Sequence, residues 1–222
     1  LASGIGTPLF AVSSKADPNS EPRTGEDFIE ILDSEETILS LTPSLRRLGT
    51  DVLNLQLPDL AGVELFAERV TFNDLAESQP GSRVDLPTLA VQSQEWSVSP
   101  VEEQSAPASD LTLWRPLLDR IEYFEHAKFY FERGNFLDPQ RERWEADLAF
   151  SGAARTPAGH LMSVEARVNA HWRRQTDHAE VSPGRTDSSD VAWKIERWQL
   201  KSLTTHESRQ ALFSEVLDQA LT

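Results

Sequence analysis

The segment that most constrains the fold is "MSVEARVNAHWRR", residues 162–174, in which apolar and polar residues alternate without a fault. The apolar set is Met162, Val164, Ala166, Val168, Ala170 and Trp172, and the polar set is Ser163, Glu165, Arg167, Asn169, His171 and Arg173. Successive side chains of a β-strand point to opposite faces, so this alternation predicts a long strand with one buried face and one solvated face.

Three further segments predict strands beside it: residues 121–133, "ERWEADLAF" (142–150) and "VAWKIERWQLKSL" (191–203). In the last segment the apolar residues change phase between Ile195 and Trp198. Such a slip is typical of a β-bulge, which we place near Glu196 and Arg197. Glycine and proline in each connection favour hairpins, so the sequence predicts an antiparallel sheet.

Helical patterns flank these strands. "FIEILDSEETILSLTPSLRRLG" (28–49) predicts helical segments that are broken near Pro43 and stopped by Gly49. Pro116 suits the first turn of a short helix. Thr204 and Glu207 form a capping-box pattern ahead of a C-terminal helix. The predicted fold is α+β, with a strongly curved antiparallel sheet of four or more strands covered by N-terminal and C-terminal helices.

The chain divides into a leading segment and one domain. Residues 1–26 are rich in Ser, Pro, Gly and Ala and lack periodicity, so we expect a disordered segment or a tether. Residues 27–222 are predicted to be one domain, in which 77–110, with four prolines, form an irregular flap or insertion that contains one strand near "LAVQSQEWSV" (89–98). The start at Leu1 without methionine favours an exported protein cut after a signal or anchor, and the alternative is a boundary chosen for expression.

Composition excludes several classes of function. The net charge of −15, from 36 acidic and 21 basic residues, would repel a phosphate backbone, so we expect no nucleic-acid binding. The absence of cysteine excludes thiol catalysis, disulfides and thiolate metal sites. No apolar run approaches the ~20 residues of a membrane helix. The five histidines never take the helical i, i+4 spacing, and no cofactor motif is present, so neither metal nor cofactor is predicted.

The segment "IEYFEHAKFYFERGNF" (121–136) is a candidate active site, because it combines glutamates, a histidine and two tyrosines. As a strand it places Ala127, Phe129 and Phe131 on one face. The other face carries His126, Lys128, Tyr130 and Glu132. Because the neighbouring strands also carry their charges on one face, we interpret this cluster as a solvated sheet face with cross-strand ion pairs and not as an active site.

The apolar face offers a candidate pocket. Large and small residues alternate there: Trp144, Ala146, Ala166, Ala170, Trp172 and Trp193. Small residues between tryptophans leave either ordinary packing for helix side chains or a ligand pocket. Indole N–H groups can only donate hydrogen bonds, so no catalytic residue is assigned on this face. An acid or base could still come from a helix or the flap, and Asp51, Glu64, Asp74 and Tyr123 are candidates among which the sequence does not choose.

Two resemblances bear on the fold. The segment "ELFAERVTFNDLA" (64–76) and the last strands ending in "AWKIERWQL" resemble the NTF2-like (cystatin-like α+β) superfamily over residues 28–203. This resemblance implies a curved sheet around an apolar cavity, into which family enzymes project an Asp, His or Tyr. The stretch "PLLDRIEYFEHAKFYFERGNF" with "RWEADLAFSGAAR" is similar to domains that precede FG-GAP-type repeats in large exported proteins.

These observations leave two functional hypotheses. The first is a non-catalytic binding or interaction domain of a larger exported protein, which would contact an unknown protein partner or form a homodimer through its sheet. The alternative is an NTF2-like pocket domain that binds, or less readily transforms, a small apolar ligand. A closed cavity with convergent polar groups would favour the second hypothesis.

Overall fold

The structure, a computed structural model, describes residues 25–86, 91–98, 104–175 and 192–209. In these ranges the helices are α1 (Gly25–Leu53) and α2 (Arg115–Leu118), and 3-10 turns lie at Gly62–Leu65 and Ala108–Asp110. The strands are β1 (Phe66–Asn73), β2 (Leu75–Leu86), β3 (Val91–Val98), β4 (Gln104–Pro107), β5 (Tyr123–Phe136), β6 (Arg143–Arg155), β7 (Leu161–Gln175) and β8 (Ala192–Ser208). The predicted α+β class is confirmed.

The eight described strands form one sheet. Six of them follow the path β2-β3-β8-β7-β6-β5, and every neighbouring pair on this path is antiparallel. Strands β5 to β8 are therefore consecutive antiparallel neighbours, as the sequence predicted. Pro116 lies in the first turn of α2, also as predicted.

Strand β8 has strands on both of its edges. Strand β7 pairs along one edge, from Ala192 to Ser208. The other edge is shared, because its first part pairs with β1 and its last part pairs with β3. The β1–β8 pairing is parallel, and β4 extends this branch by pairing with β1. The sheet is thus mostly antiparallel, and the parallel pair is a difference from the prediction.

The predicted bulge in β8 is confirmed. His171 of β7 pairs with Arg197, whereas the next residue, Trp172, pairs with Ile195, which leaves Glu196 as the extra residue. Ile195 and Trp198 are both fully buried, so the bulge returns the apolar residues to the inner face. A second register shift, which the sequence analysis missed, lies at Lys201. Bulges bend the strand that contains them, so both help β8 to serve two sets of partners.

The predicted helix breaks at Pro43 and Gly49 are wrong. Helix α1 runs without interruption through both residues. Pro43 is exposed, and the hydroxyl of the preceding Thr42 donates to the carbonyl of Ile38 at 2.9 Å. Pro43 and Gly49 have low helix propensity in a helix interior. The helix therefore depends on tertiary packing of its apolar stripe. That stripe is at most 3% exposed: Leu41, Leu45, Leu48 and Val52.

Helix α1 packs on β5, the last strand on one side of the sheet. The hydroxyl of Ser34 donates to the carbonyl of Gly134 at 2.8 Å, so the helix satisfies a main-chain acceptor of β5. Gly49 lies where helix and strand approach most closely, since a β-carbon there would be 3.0 Å from the carbonyl oxygen of Ala127. Gly49 therefore permits close packing, and does not end the helix. Covering a sheet edge in this way also protects it from pairing with other chains.

The region predicted to be an irregular flap, 77–110, is largely ordered into the sheet. Strands β3 and β4 and most of β2 fall within it, while 87–90 and 99–103 lie outside the described residues. Pro80 lies in β2 beside a register shift against β3. The strand predicted near 89–98 is confirmed by β3. Prolines and polar residues hid β2 and β4, because their pairing is set by β3 and β1 and not by a local pattern.

Three predictions fall partly or wholly outside the described residues. Most of the predicted tether, residues 1–24, lies outside them, and α1 already begins at Gly25. The loop 176–191 lies outside them as well. The C-terminal helix beyond 209 cannot be compared, but its predicted cap differs from the structure, since Thr204 and Glu207 belong to β8. Both residues pair there with neighbouring strands instead of starting a helix.

The inner face of the sheet carries a core of aromatic rings. Trp114 packs edge-on against Phe150 with ring centroids 5.1 Å apart, and Phe129 lies 4.7 Å from Phe150. Trp198 continues this group, 5.9 Å from Phe129. Aromatic side chains bury large areas and prefer such tilted contacts, so this group holds helix α2 and the sheet together.

A substitution at Gly134 can test the packing between α1 and the sheet. A β-carbon at this position would lie 2.0 Å from Cζ2 of Trp144, a ring that is fully buried and cannot move freely. We therefore expect Gly134→Ala to lower the free energy of unfolding by about 1–3 kcal/mol. The measurement is urea denaturation, with the exposed neighbour substitution Asn135→Ala as control. Equal midpoints for the two variants would contradict the position of Trp144.

Candidate functional site

The six residues of the predicted pocket face fall into two groups. Five are at most 4% exposed and belong to the core: Trp144, Ala146, Ala166, Ala170 and Trp172. Rings fill the space around them, since Trp144 lies 5.5 Å from Trp172 and 5.3 Å from Phe131 between ring centroids. The indole N–H of Trp144 donates to Ser34 Oγ at 3.3 Å. Around these five residues the structure therefore has ordinary packing.

The sixth residue, Trp193, is only half-buried and borders a cleft of about 620 Å³. We call this space the Trp193 cleft. It lies between α1, the Gly62–Leu65 turn, the end of the β5–β6 hairpin and the adjoining ends of β7 and β8. Trp193 is the partner of Arg174 in the β7–β8 pairing, two residues beyond the buried pair Trp172 and Ile195. The cleft therefore begins where the packed inner face ends.

One wall of the Trp193 cleft is a polar stripe of α1. Its residues recur at intervals of three and four: Asp33, Glu36, Thr37, Ser40, Leu41 and Ser44. This spacing places them on one side of the helix. The stripe runs beside the apolar stripe that packs on the sheet, and Thr37 and Leu41 are buried. The same helix thus supplies both core residues and cleft residues.

The other walls carry cations and apolar groups. Arg141 forms an ion pair with Asp33 and lies over the ring of Phe136, 5.7 Å from its centroid. Lys194 donates to the carbonyl of Glu64. Arg174 makes no ion pair with the part of the chain that the structure describes. Together with Trp193, these groups give the cleft a mixed polar and apolar lining.

Asp51, one of the four candidate acids and bases, is fully buried at the end of α1. Arg47 Nε lies 3.1 Å from its Oδ1, and the backbone of Gly62 presses on it so closely that a β-carbon there would be 1.8 Å from Oδ2. Burial raises the pKa of Asp51 to about 6, and the neighbouring Asp59 carboxylate adds to this effect. Asp51 does not line the Trp193 cleft.

Asp59 is the second carboxylate that contacts Arg47, beside Asp51. Arg47 Nη2 lies 2.5 and 2.6 Å from its two oxygens, and the amides of Ala61 and Gly62 donate to Oδ1 at 2.9 and 2.7 Å. Although burial opposes the effect, these donors lower the pKa of Asp59 to about 2. The group joins the end of α1 to the following loop, so we assign it a structural role.

Asp74, a second candidate, links β1 to the turn before α2. Its oxygens accept the main-chain N–H of Trp114 at 2.9 and 3.1 Å. Trp114 has a φ of 60°, and this bond helps to hold that left-handed conformation. Burial raises the pKa of Asp74 to about 6, although the amides of Leu75 and Trp114 oppose the rise. Asp74 is not part of the Trp193 cleft, whereas Glu64 lines it and Tyr123 is exposed at the start of β5.

The charged face of the sheet is the solvated surface that the sequence predicted. Cross-strand ion pairs join Arg155 to Glu125 at 2.7 Å and Arg167 to Glu132 at 3.3 Å. His126, Lys128 and Tyr130 are exposed. The cluster in residues 121–136 is therefore part of an exposed sheet surface.

One part of that face is more ordered than the sequence indicated. Asn169 is 5% exposed, and its amide donates to Glu145 at 2.7 Å and to Asp147 at 2.9 Å. The His171 ring lies 3.1 Å from Asn169 Oδ1, and burial lowers the pKa of this histidine. The groups satisfy one another across β6 and β7, so this network stabilises the sheet.

His160 and Glu207 form another pair, at the opposite end of the sheet from the Trp193 cleft. His160 Nδ1 lies 2.5 Å from Glu207 Oε1. Among the described residues no three His, Asp or Glu side chains gather as metal ligands. In the same part of the chain no helix is long and apolar enough to cross a membrane.

The sequence analysis found one border of the Trp193 cleft and missed the other. Trp193 stood out because it continues the apolar alternation of β8. The polar stripe on α1 was missed because hydroxyl and acidic residues at helical spacing look like an ordinary solvated helix face. The signal that could have found it is the pair of parallel stripes, one apolar and one rich in Ser and Thr, on the same predicted helix.

Comparisons with known proteins add little to this geometry. A scan against protein-family models finds no matching family, and a search of curated proteins finds no match. The crystal structure of a candidate aromatic ring hydroxylase from Novosphingobium aromaticivorans is similar, with 12% identity over 75% of this chain and 88% of that chain and a TM-score of 0.42. A likeness of this degree establishes neither a shared fold nor a shared activity. The NTF2-like and FG-GAP resemblances stay predictions.

The buried carboxyl of Asp74 should give the stability a specific pH dependence. Its pKa is about 6 in the folded chain and 3.8 without the fold, so the folded state binds more protons between these values. The free energy of unfolding should then fall as pH rises from 4 to 6, by roughly 3 kcal/mol at most from this group. We expect Asp74→Asn to remove that share of the fall.

The measurement is urea denaturation at pH 4, 5, 6 and 7 for both proteins. The control variant is Asp110→Asn, which makes the same substitution at an exposed residue. If Asp74→Asn keeps the full wild-type slope, Asp74 is not the buried acid that this geometry makes it.

Proposed function

We propose that this domain binds a small organic molecule in the Trp193 cleft. The observation that carries the proposal is a cleft of about 620 Å³ that exposes part of a tryptophan at the margin of a packed core. Ligand sites have volumes of ~300–1,000 Å³ and combine apolar walls with a few polar groups. Because this lining mixes both kinds, the ligand we propose is amphipathic and not the wholly apolar one suggested by the sequence.

Binding is favoured over catalysis by the positions of the buried acids. A carboxyl with a pKa near neutrality is suited to proton transfer, and Asp51 and Asp74 have such values. Both residues are held in structural contacts away from the Trp193 cleft. A molecule bound beside Trp193 would therefore not meet either group, which supports a binding role.

The wider setting of the domain is also a proposal. The described α+β architecture, with a long helix on a mostly antiparallel sheet, supports NTF2-like membership. Export, a place within a larger protein, a protein partner and a homodimer rest on the sequence alone. Immunoblotting of cell fractions tests export, because an exported full-length gene product should be found in the medium or the periplasm.

A ligand screen tests the proposed cleft directly. Ligand-observed NMR with a library of small amphipathic compounds should yield binders, and Trp193→Ala should weaken them by about tenfold because it removes the apolar wall. The matched control is Tyr130→Ala, which removes an exposed ring from the opposite face of the sheet. Binders that respond to Tyr130→Ala and not to Trp193→Ala would contradict the site, and a screen without binders would contradict the function.

A further inference from the structure

The walls of the Trp193 cleft differ in hydrogen-bonding character. On the α1 wall, the hydroxyl of Thr37 donates to the carbonyl of Asp33 at 2.9 Å, and that of Ser40 donates to the carbonyl of Thr37 at 2.8 Å. Each hydroxyl has one proton, so within these bonds both oxygens face a ligand only as acceptors. Glu36 adds a carboxylate to the same stripe. The α1 wall therefore suits a hydrogen-bond donor or a cation.

The strand wall has the opposite character. Arg174 is the cross-strand partner of Trp193, and Lys194 follows Trp193 in β8; both line the cleft. Lys194 uses one of its three protons on the carbonyl of Glu64, and Arg174 has no ion-pair partner in the described ranges. Arginine and lysine have no acceptor atoms, so this wall suits a carboxylate or another anion.

The cleft has equal numbers of acidic and basic side chains, although the whole chain has a large negative net charge. The protein carries a net charge of −15. The cleft holds three acidic and three basic side chains: Asp33, Glu36, Glu64, Arg141, Arg174 and Lys194. Asp33 and Arg141 neutralise each other as an ion pair. A ligand with a single charge would therefore satisfy one wall and leave the other facing it without a partner.

We propose that the ligand of the Trp193 cleft is a small zwitterion with an apolar side group, such as an aromatic amino acid or a dipeptide. Its ammonium group contacts Glu36 and the hydroxyl oxygens of α1. Its carboxylate contacts Arg174. Its apolar side group packs on Trp193. This inference rests on the proposed function, since it names the ligand class of the same site.

The test compares ligands that differ only in charge. Isothermal titration calorimetry is carried out with phenylalanine, N-acetylphenylalanine, phenylalaninamide and N-acetylphenylalaninamide, and with the dipeptide phenylalanylphenylalanine as a longer zwitterion. At least one of the two zwitterions should bind about tenfold or more tightly than either singly charged compound, because each blocked end loses a charge-assisted contact. Tryptophan fluorescence is also recorded during each titration. A fluorescence change that is lost in Trp193→Phe assigns the binding to this cleft.

Two variants separate the ends of the ligand. Glu36→Gln should lower the affinity for the zwitterion and leave that for N-acetylphenylalanine unchanged, since the acetylated compound has no ammonium group. Arg174→Gln should lower the affinity for the zwitterion and leave that for phenylalaninamide unchanged. The matched controls are Glu35→Gln and Arg173→Gln, which alter exposed neighbours that do not line the cleft.

The outcomes distinguish this inference from the proposed function. Equal affinities for the zwitterions and their blocked derivatives would overturn the inference, and so would tighter binding of a blocked compound. If amino acids and dipeptides do not bind while other library compounds bind in a Trp193-dependent way, the inference is wrong and the proposed function stands. If no compound of either set binds, both are wrong.

Discussion

The interaction on which the rest of the structure depends is the packing of aromatic rings between helix α1 and the inner face of the sheet. Trp144, Trp172 and Phe131 contact one another there, with centroids 5.3 to 5.9 Å apart. Burying rings of this size supplies much of the apolar contact that holds the long helix. Their bulk also fills the space around the central alanines, and the Trp193 cleft begins where these rings end.

Helix α1 joins stability to the candidate site. Its apolar stripe packs on β5, and its polar stripe forms a wall of the Trp193 cleft. Leu41 belongs to both stripes, and Thr37 is likewise buried where it borders the cleft. A shift of the helix along β5 would change the cleft, and Ser34 and Gly49 oppose such a shift through their close contacts with β5. The aromatic core thereby fixes the geometry of a site that it does not itself form.

How much the sequence could predict depended on whether a pattern was local. The alternation in β7 predicted its two faces, and the phase change at Glu196 predicted the bulge, because both are properties of one strand. The strand near 89–98, which is β3, was also predicted from its own residues. Strands β2 and β4 and the parallel β1–β8 pair could not be found in this way, because each forms on a segment that is not visible in a local pattern: β2 on β3, β4 on β1, and β1 on β8. Likewise, tertiary packing overrode the breaking signals of Pro43 and Gly49.

The site follows the same division. Trp193 was predicted because it lies in an alternating strand, whereas the α1 wall has no meaning until the helix is placed over the ends of β7 and β8. The two carboxyls with raised pKa values, Asp51 and Asp74, were named but not chosen from the sequence, and the structure uses them to fasten loops. Because the groups that fasten the fold are distinct from most of those that line the cleft, Glu36, Arg174 and Trp193 can change without undoing the core. The lining of the Trp193 cleft can therefore change independently of the stability of the domain.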